Sequence, residues 1–439
     1  GHTTVTTYDA TYHTFPETVT YPLPGFVTTA HYDARFGLLE WSTDLNGQTT
    51  HYEYDLYGRL RQVWAPLDYG SGIPTVEYVY TATPSGLEVQ TRRKEAYGAA
   101  NTCDSTAFYN GLGQLVRTTA EGEGGTTITV DYQYDGLGRQ WRVSAPYTGT
   151  PQLWTETTYD ALGRLKRVTH TDGTYRQYLY TGRERVDVRD ENGYFQGYSQ
   201  DALGRTVQVD EYSDGYPATP YTTTHYAYDL PGNLTGVEDD LGHTTVITYD
   251  SLGRKLSMDD PDMGDWSYTY DANGNLATQT DAGGTVITFA YDALDRLVSK
   301  SYSNGEPPVT YTYDVGVNGR GRRTGMADAS GTAEYTYDEQ GRLLTETKTV
   351  DGVAYTTGFT YDPMDRVRTM TYPDGEVITY DYNEQGLLES VVGQDDYVRD
   401  LDYNALGQTT HLELGNGLAT TYGYHDTNFR LQSIVTSGG

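Results

Sequence analysis

Apolar and aromatic residues recur at every second position in short runs that end on a tyrosine. Ile287, Phe289 and Tyr291 fall on one face of such a run, with Val286, Thr288 and Ala290 on the other. Trp266, Tyr268 and Tyr270 repeat the pattern, as do Val309, Tyr311 and Tyr313, and Ile378, Tyr380 and Tyr382. A large residue also stands two positions before the run's end at Tyr52, Tyr132, Tyr178, Tyr226, Tyr335, Phe359 and Tyr422. Alternation over five or six residues, rich in β-branched and aromatic side chains, predicts a strand. Aromatic positions aligned from strand to strand predict a ladder of ring pairs, each contributing roughly 0.2–1 kcal/mol. On that reading Tyr291→Ala costs more than Tyr212→Ala, because only Tyr291 lies on the ladder (roughly 3 kcal/mol for a large-to-small aromatic change).

The tyrosine that closes each run is followed by aspartate, and the pair recurs at a nearly constant interval. Tyr228, Tyr249, Tyr270 and Tyr291 are 21 residues apart, as are Tyr361, Tyr382, Tyr403 and Tyr424; elsewhere the step stretches to 22–25. A turn follows, as in Asp160-Ala161-Leu162-Gly163-Arg164, Asp250-Ser251-Leu252-Gly253-Arg254, Asp271-Ala272-Asn273-Gly274-Asn275 and, in a variant form, Asp292-Ala293-Leu294-Asp295-Arg296. The aspartate can accept backbone N–H groups two residues on, and glycine suits the position where φ turns positive. The arginine is expected to fold back on the aspartate or on a neighbouring carbonyl. A short strand follows, starting at Leu165, Leu276 or Leu343. Apolar residues three positions later (Val63, Val168, Val237) break strict alternation, which leaves a bulge or a two-sided strand open. The unit closes on a second turn, often Asn46-Gly47, Asp172-Gly173, Asn192-Gly193, Asn304-Gly305, Asp351-Gly352 or Asp374-Gly375. Such dipeptides favour two-residue hairpin turns.

Each unit is therefore one hairpin, and the whole is a continuous antiparallel meander. The expected fold is all-β: about 18–20 units give roughly 36–40 strands, and a sheet that long must coil into a spiral, tube or shell. Composition agrees, with 44 Tyr and 50 Gly against 8 Phe and 5 Met. The apolar pattern is too sparse for a dense two-sheet sandwich, so a hollow form fits best.

The motif Tyr159-Asp160-Ala161-Leu162-Gly163-Arg164-Leu165 resembles the RHS (rearrangement hot spot) or YD-repeat family, and its copies cover essentially the whole chain. That family includes bacterial polymorphic toxins, the cocoon components of insecticidal toxin complexes and the animal teneurins. The resemblance implies a β-ribbon wound into a hollow cocoon, which in toxin members encloses a C-terminal toxic polypeptide. Many members also carry a self-cleaving core-associated segment. It is not recognisable here, because Asp362-Pro363-Met364-Asp365 lies inside a repeat, so self-cleavage and toxicity are not carried over. Gly1 to Asp9 matches Gly242 to Asp250 at eight of nine positions, so the array begins in mid-unit. A single array over residues 1–439, belonging to a longer polypeptide, is expected, with neighbouring copies possible partners at its raw ends.

Net charge is −31, from 61 acidic and 30 basic residues, which works against nucleic acid or anionic membrane as partner. Cys103 is the single cysteine and rules out an internal disulfide framework. No apolar run reaches the length of a membrane span. Asp259, Asp260, Asp262 and Asp265 form the densest acidic cluster and are the one candidate for Ca²⁺; a solvated hairpin loop is the plainer reading. Glycosidase-like carboxylate pairs are discounted, because nearly every unit places an aspartate at the same turn. Gly319-Arg320-Gly321-Arg322-Arg323 makes a small basic patch, read as an irregular loop. Residues 66–108 and 211–221 depart most from the repeat and are read as irregular insertions. Their aromatics, Tyr69 and Tyr97 among them, are where a recognition site is expected. No cofactor and no catalytic group is expected. The expected role is a non-enzymatic shell around a polypeptide cargo in a secreted or surface-exposed bacterial protein. The alternative is a cell-surface adhesion or carbohydrate-binding module.

Overall fold

The computed structural model describes residues 2–97, 102–151, 153–213, 216, 217 and 219–438. Among these, 38 strands follow one another from Val5–Tyr8 to Leu431–Gly438, with one 3-10 turn at Glu123–Gly125. Each strand pairs antiparallel with the next in sequence, so the sheet is one uninterrupted meander.

The repeat pattern maps directly onto this sheet. In the strand Gly264–Tyr270, Trp266, Tyr268 and Tyr270 are half-buried, while Asp265, Ser267 and Thr269 are exposed. The exposed face pairs hydroxyls across strands: Thr269–Thr278, Thr336–Thr345 and Thr360–Thr369 each meet at 2.6 Å. Beside each repeat tyrosine the register slips by one residue. Thr248 pairs with Ser257 but Tyr249 with Lys255, and the same step recurs at Tyr270 and Tyr291. This settles the second strand as bulged.

Five of the six Asn-Gly and Asp-Gly turns are longer than the two-residue form expected. In Asp44–Gln48 the Asp44 N–H donates to the Gln48 carbonyl and the Gly47 N–H to the Asp44 carbonyl. Gly47 alone has positive φ, at 81°. The loop has three residues with glycine in the left-handed position, the form that ends in a glycine bulge. Asp351-Gly352, at φ 51° and 77°, is a two-residue turn with both residues left-handed. The other dipeptides lack the positive φ at their first residue that this turn requires.

The meander coils back on itself. The turn holding Asn46 meets Arg320, 274 residues later, and the turn holding Thr171 meets Thr427, 256 residues later. Each contact joins turns separated by about 23 strands, which at about 4.8 Å per strand is a perimeter of roughly 110 Å and a width of roughly 35 Å. Among the described residues the buried apolar side chains are few: Phe26, Tyr212, Ala333, Pro363, Ile378 and Leu401. A single sheet with so small a core, wound at that radius, leaves an open interior.

Residues 66–108 are less irregular than expected. They carry the paired strands Val76–Thr83 and Gly86–Lys94 and most of Thr102–Asn110, three of the longest in the sheet. Residues 98–101 lie outside the described residues. The loop before Val76 is held by a buried ion pair: Lys94 Nζ meets Asp68 Oδ1 at 2.6 Å, and both side chains are 1% exposed. Thr75 donates to the other Asp68 oxygen at 2.6 Å. In 211–221, residues 214, 215 and 218 lie outside the described residues. Tyr216 stacks on Phe195 at 4.0 Å and meets Tyr212 edge-on at 5.3 Å. Tyr212, placed off the ladder by its sequence, is 9% exposed and receives a hydrogen bond from Arg185 at 3.1 Å. Its burial gives reason to expect the opposite order for the two tyrosine substitutions.

Candidate functional site

The two sets of turns form two rims. The upper rim carries the Tyr-Asp turns, and most motif residues there bond to a neighbour. Tyr159 donates its hydroxyl to the Gln140 carbonyl at 2.7 Å, Tyr270 to Lys255 at 2.9 Å and Tyr291 to Leu276 at 3.0 Å. Each of these carbonyls belongs to the strand after the preceding Tyr-Asp turn, so the hydroxyl ties one unit to the one before. Asp160 accepts the N–H groups of Leu162 and Arg164, both at 2.9 Å, and its second oxygen accepts Arg164 Nε at 2.7 Å. Asp250 with Arg254 and Asp292 with Arg296 repeat this arrangement. In Asp271 the partner is Asn275, whose amide donates at 3.1 Å. Gly163, Gly253 and Gly274 occupy the left-handed position at φ 81°, 76° and 94°. Arginine hydrogen bonds and charge hold Asp135 and Asp201 below the usual carboxylate range.

The arginine also reaches forward. Arg164 lies over Tyr180 at 3.9 Å, Arg139 over Tyr159 at 4.4 Å, Arg254 over Tyr270 at 4.8 Å and Arg296 over Tyr313 at 4.3 Å. The ladder expected from ring pairs is thus an alternation of arginine and tyrosine. The rings of successive repeat tyrosines stand two strands apart, too far for direct stacking, and the guanidinium fills the gap. Tyr249 follows a unit that ends in Asn233 rather than arginine; Asn233 bonds Asp229 at 2.8 Å.

The lower rim of the first revolution docks on the upper rim of the second. Asn46 and Arg320 exchange two hydrogen bonds, at 3.1 and 2.9 Å, and Gln48 donates to Asn318 at 3.0 Å. The basic patch at 319–323 is therefore part of a seam. Tyr97 lies in the same seam, donating to Gln340 at 3.0 Å and receiving Arg342 at 3.4 Å. Glu123 accepts the Tyr403 N–H at 3.1 Å. Burial pushes the carboxyls of Glu95 and Glu123 up, and facing carboxylates across the seam (Asp362 and Glu384, and Asp400 and Asp402) push the same way. Tyr69, the other loop aromatic, stacks on His51 at 3.5 Å. Both loop aromatics thus touch the chain itself, while Tyr69 remains 59% and Tyr97 37% exposed. No local signal in the sequence could have found the seam, because its partners lie more than 240 residues apart.

The acidic cluster is a hairpin end. Asp259 pairs with Asp265 across the strands Lys255–Asp260 and Gly264–Tyr270, while Asp260 caps the turn, accepting Asp262 N–H at 3.0 Å, Met263 N–H at 2.9 Å and the Thr245 hydroxyl at 2.7 Å. Among the described residues no three or more His, Cys, Asp and Glu side chains are grouped to hold a metal ion. None of their helices is long and apolar enough to cross a membrane.

A family model for the RHS repeat matches residues 270–307 and 317–354. These two stretches are RHS repeats. The chain's repeat sheet superposes on solved toxin-complex structures over 99% of its length. Against TcdB2-TccC3 the TM-score is 0.86 at 19% identity, covering 27% of that chain. Against TcdB2-TccC3-Cdc42 it is 0.85 at 16%, covering 29%. Against the Tc holotoxin pore of Photorhabdus luminescens it is 0.84 at 16%, again covering 29%. The array thus spans less than a third of those chains, and at these identities the likeness is one of fold. No curated protein matches it by sequence. Fold and repeat together describe one antiparallel sheet with the form of a shell.

Proposed function

We propose that this RHS shell encloses a polypeptide cargo, such as a toxin segment, within a longer secreted or surface-exposed bacterial protein, and carries out no chemistry of its own. The observation that carries the proposal is the seam. Hydrogen bonds between turns some 270 residues apart close a single-layer sheet into a wall around an interior. The rim residues support the same reading, since the aspartates close their own turns while most repeat tyrosines and arginines bind one unit to the next. The share of the matched toxin-complex chains that the array spans supports its being one stretch of a larger polypeptide. The adhesion or glycan-binding alternative is less favoured: Tyr97 is hydrogen-bonded in the seam, while Tyr69 stacks on His51 and stays 59% exposed.

The test is the intact mass of the polypeptide isolated from its source, followed by limited proteolysis before and after the shell is unfolded. Encapsulation predicts a mass well above 48.8 kDa and a segment cleaved only after unfolding. Cleavage of every segment outside the repeats at the same rate in both states would refute it.

A further inference from the structure

The lower rim of the second revolution carries a cavity of about 510 Å³ at the strands Val367–Thr371, Val377–Tyr382, Leu388–Val392 and Asp396–Tyr403. Tyr372, Tyr380 and Tyr397 form its walls, Ile378, 3% exposed, its floor, and Asp374 and Glu376 its edge. No basic side chain lines it. Tyr372 and Tyr397 are 40% and 45% exposed, so their rings are open to a ligand. The Glu376 carboxylate is held in place: one oxygen accepts the Tyr397 hydroxyl at 2.7 Å and the Gln394 N–H at 3.1 Å. Gly393 makes the arrangement possible. A Cβ there would stand 2.5 Å from Ile378 Cδ1, 2.7 Å from Glu376 Oε1 and 2.8 Å from Tyr397 Cε2.

We propose that this cradle binds the guanidinium of an arginine side chain presented by an extended polypeptide. Tyrosine faces attract cations, and the Glu376 oxygen not used by Tyr397 and Gln394 can accept a guanidinium N–H. The same shell already uses both halves of such a contact. Arginines lie over tyrosines along the upper rim, and at the seam Arg342 Nη2 meets the Tyr97 hydroxyl at 3.4 Å and Arg322 meets Asp44 at 3.8 Å. In those places each arginine belongs to the chain itself; here the tyrosines and the acid are present without one. A lysine fits less well, because its point charge does not match a carboxylate edge between flat rings. The proposal stands whether or not the shell encloses a chain, since it concerns one rim cavity and any accessible peptide.

The probe is a dye-labelled nine-residue Gly/Ser peptide with one central arginine, compared with the same peptide carrying glutamine there, by fluorescence anisotropy. The arginine peptide is expected to bind about tenfold more tightly. Glu376→Gln and Tyr397→Leu each remove most of that difference, the second without changing the charge. Asp262→Asn removes the same unit of charge from an exposed turn and leaves binding within about twofold. Equal binding of the two peptides to the unaltered protein overturns the proposal and needs no variant to fold. So does an equal loss in Glu376→Gln and Asp262→Asn, which would reduce the effect to the net charge of −31.

Discussion

Arg296 joins three consecutive elements of the upper rim, and replacing it with methionine isolates what the rim clamp contributes. Its Nε donates to Asp292 at 2.8 Å, while Nη1 and Nη2 reach the two oxygens of Asp314 at 2.9 and 2.6 Å. The guanidinium lies over Tyr313 at 4.3 Å, and the side chain is 17% exposed. Methionine keeps the aliphatic bulk but leaves two carboxylates facing each other with no counter-ion. Charge-assisted hydrogen bonds contribute roughly 1.5–3 kcal/mol each when shielded from water. Discounted for water reaching the freed carboxylates, the loss is about 3 kcal/mol. Arg164 is the comparison: it has one carboxylate partner, Asp160, plus the Gly182 carbonyl, and is 34% exposed. Arg164→Met should cost about 1 kcal/mol, as for an exposed pair. In a repeat array each unit contacts mainly its neighbours, so the effect should be local. Native-state hydrogen exchange read by mass spectrometry resolves it. The roughly 2 kcal/mol gap between the variants corresponds to about a thirtyfold difference in local opening. Protection in Arg296→Met should fall across residues 286–328 and remain elsewhere. Equal losses in the two variants, or a loss spread evenly over the chain, would refute the clamp.

Tyr212→Ala should lower the melting midpoint more than Tyr291→Ala, by roughly 3 kcal/mol against 1–2, because Tyr212 is packed against Tyr216 and Arg185 while Tyr291 is only half-buried; equal shifts in thermal melts would contradict this. Lys94→Met should cost roughly 3–5 kcal/mol by leaving Asp68 charged and buried, and adding Asp68→Asn should recover much of it, as judged by urea denaturation. Asp365, at φ 63°, stands where most units have glycine, so Asp365→Gly should stabilise by up to about 1 kcal/mol; its contact with Arg342 involves a carboxylate 72% exposed and offsets little. The pH response should pass through a maximum. Rim aspartates such as Asp135 and Asp201 titrate below their unfolded values, so their contribution is present above about pH 4 and is lost as pH falls through the folded values. Glu95, Glu123 and Glu389 titrate above theirs, so protonating them as pH falls from 7 adds stability first. A melting temperature that declines steadily from pH 7 to 3 would refute the seam's part in this.

The hairpin unit, its strands and the Tyr-Asp turn were legible because each depends on residues within about five positions. Tyr159, Asp160, Gly163 and Arg164 report strand face, turn cap, positive φ and clamp in a single stretch. The reading faltered where a local pattern had two physical solutions. Alternating aromatics suit ring pairs or rings separated by a cation, and only the position of Arg164 over Tyr180 decides between them. Asn46-Gly47 suits a two-residue or a three-residue loop, and the hydrogen bond from Asp44 to Gln48 chooses the longer. Tyr212 looked peripheral because its partners, Arg185 and Tyr216, follow no repeat spacing.

By itself, the sequence determined an all-β meander of hairpins with an aromatic face and a hydroxyl face, since period-two alternation and turn chemistry are local. Only the tertiary structure decided how many strands complete a revolution, and hence which turns meet. That number follows from small twists and bulges accumulated over some 23 strands. No single residue encodes it, yet it brings Asn46 to Arg320 and Tyr97 to Gln340. The wall, the seam and the charge balance across it all follow from that closure.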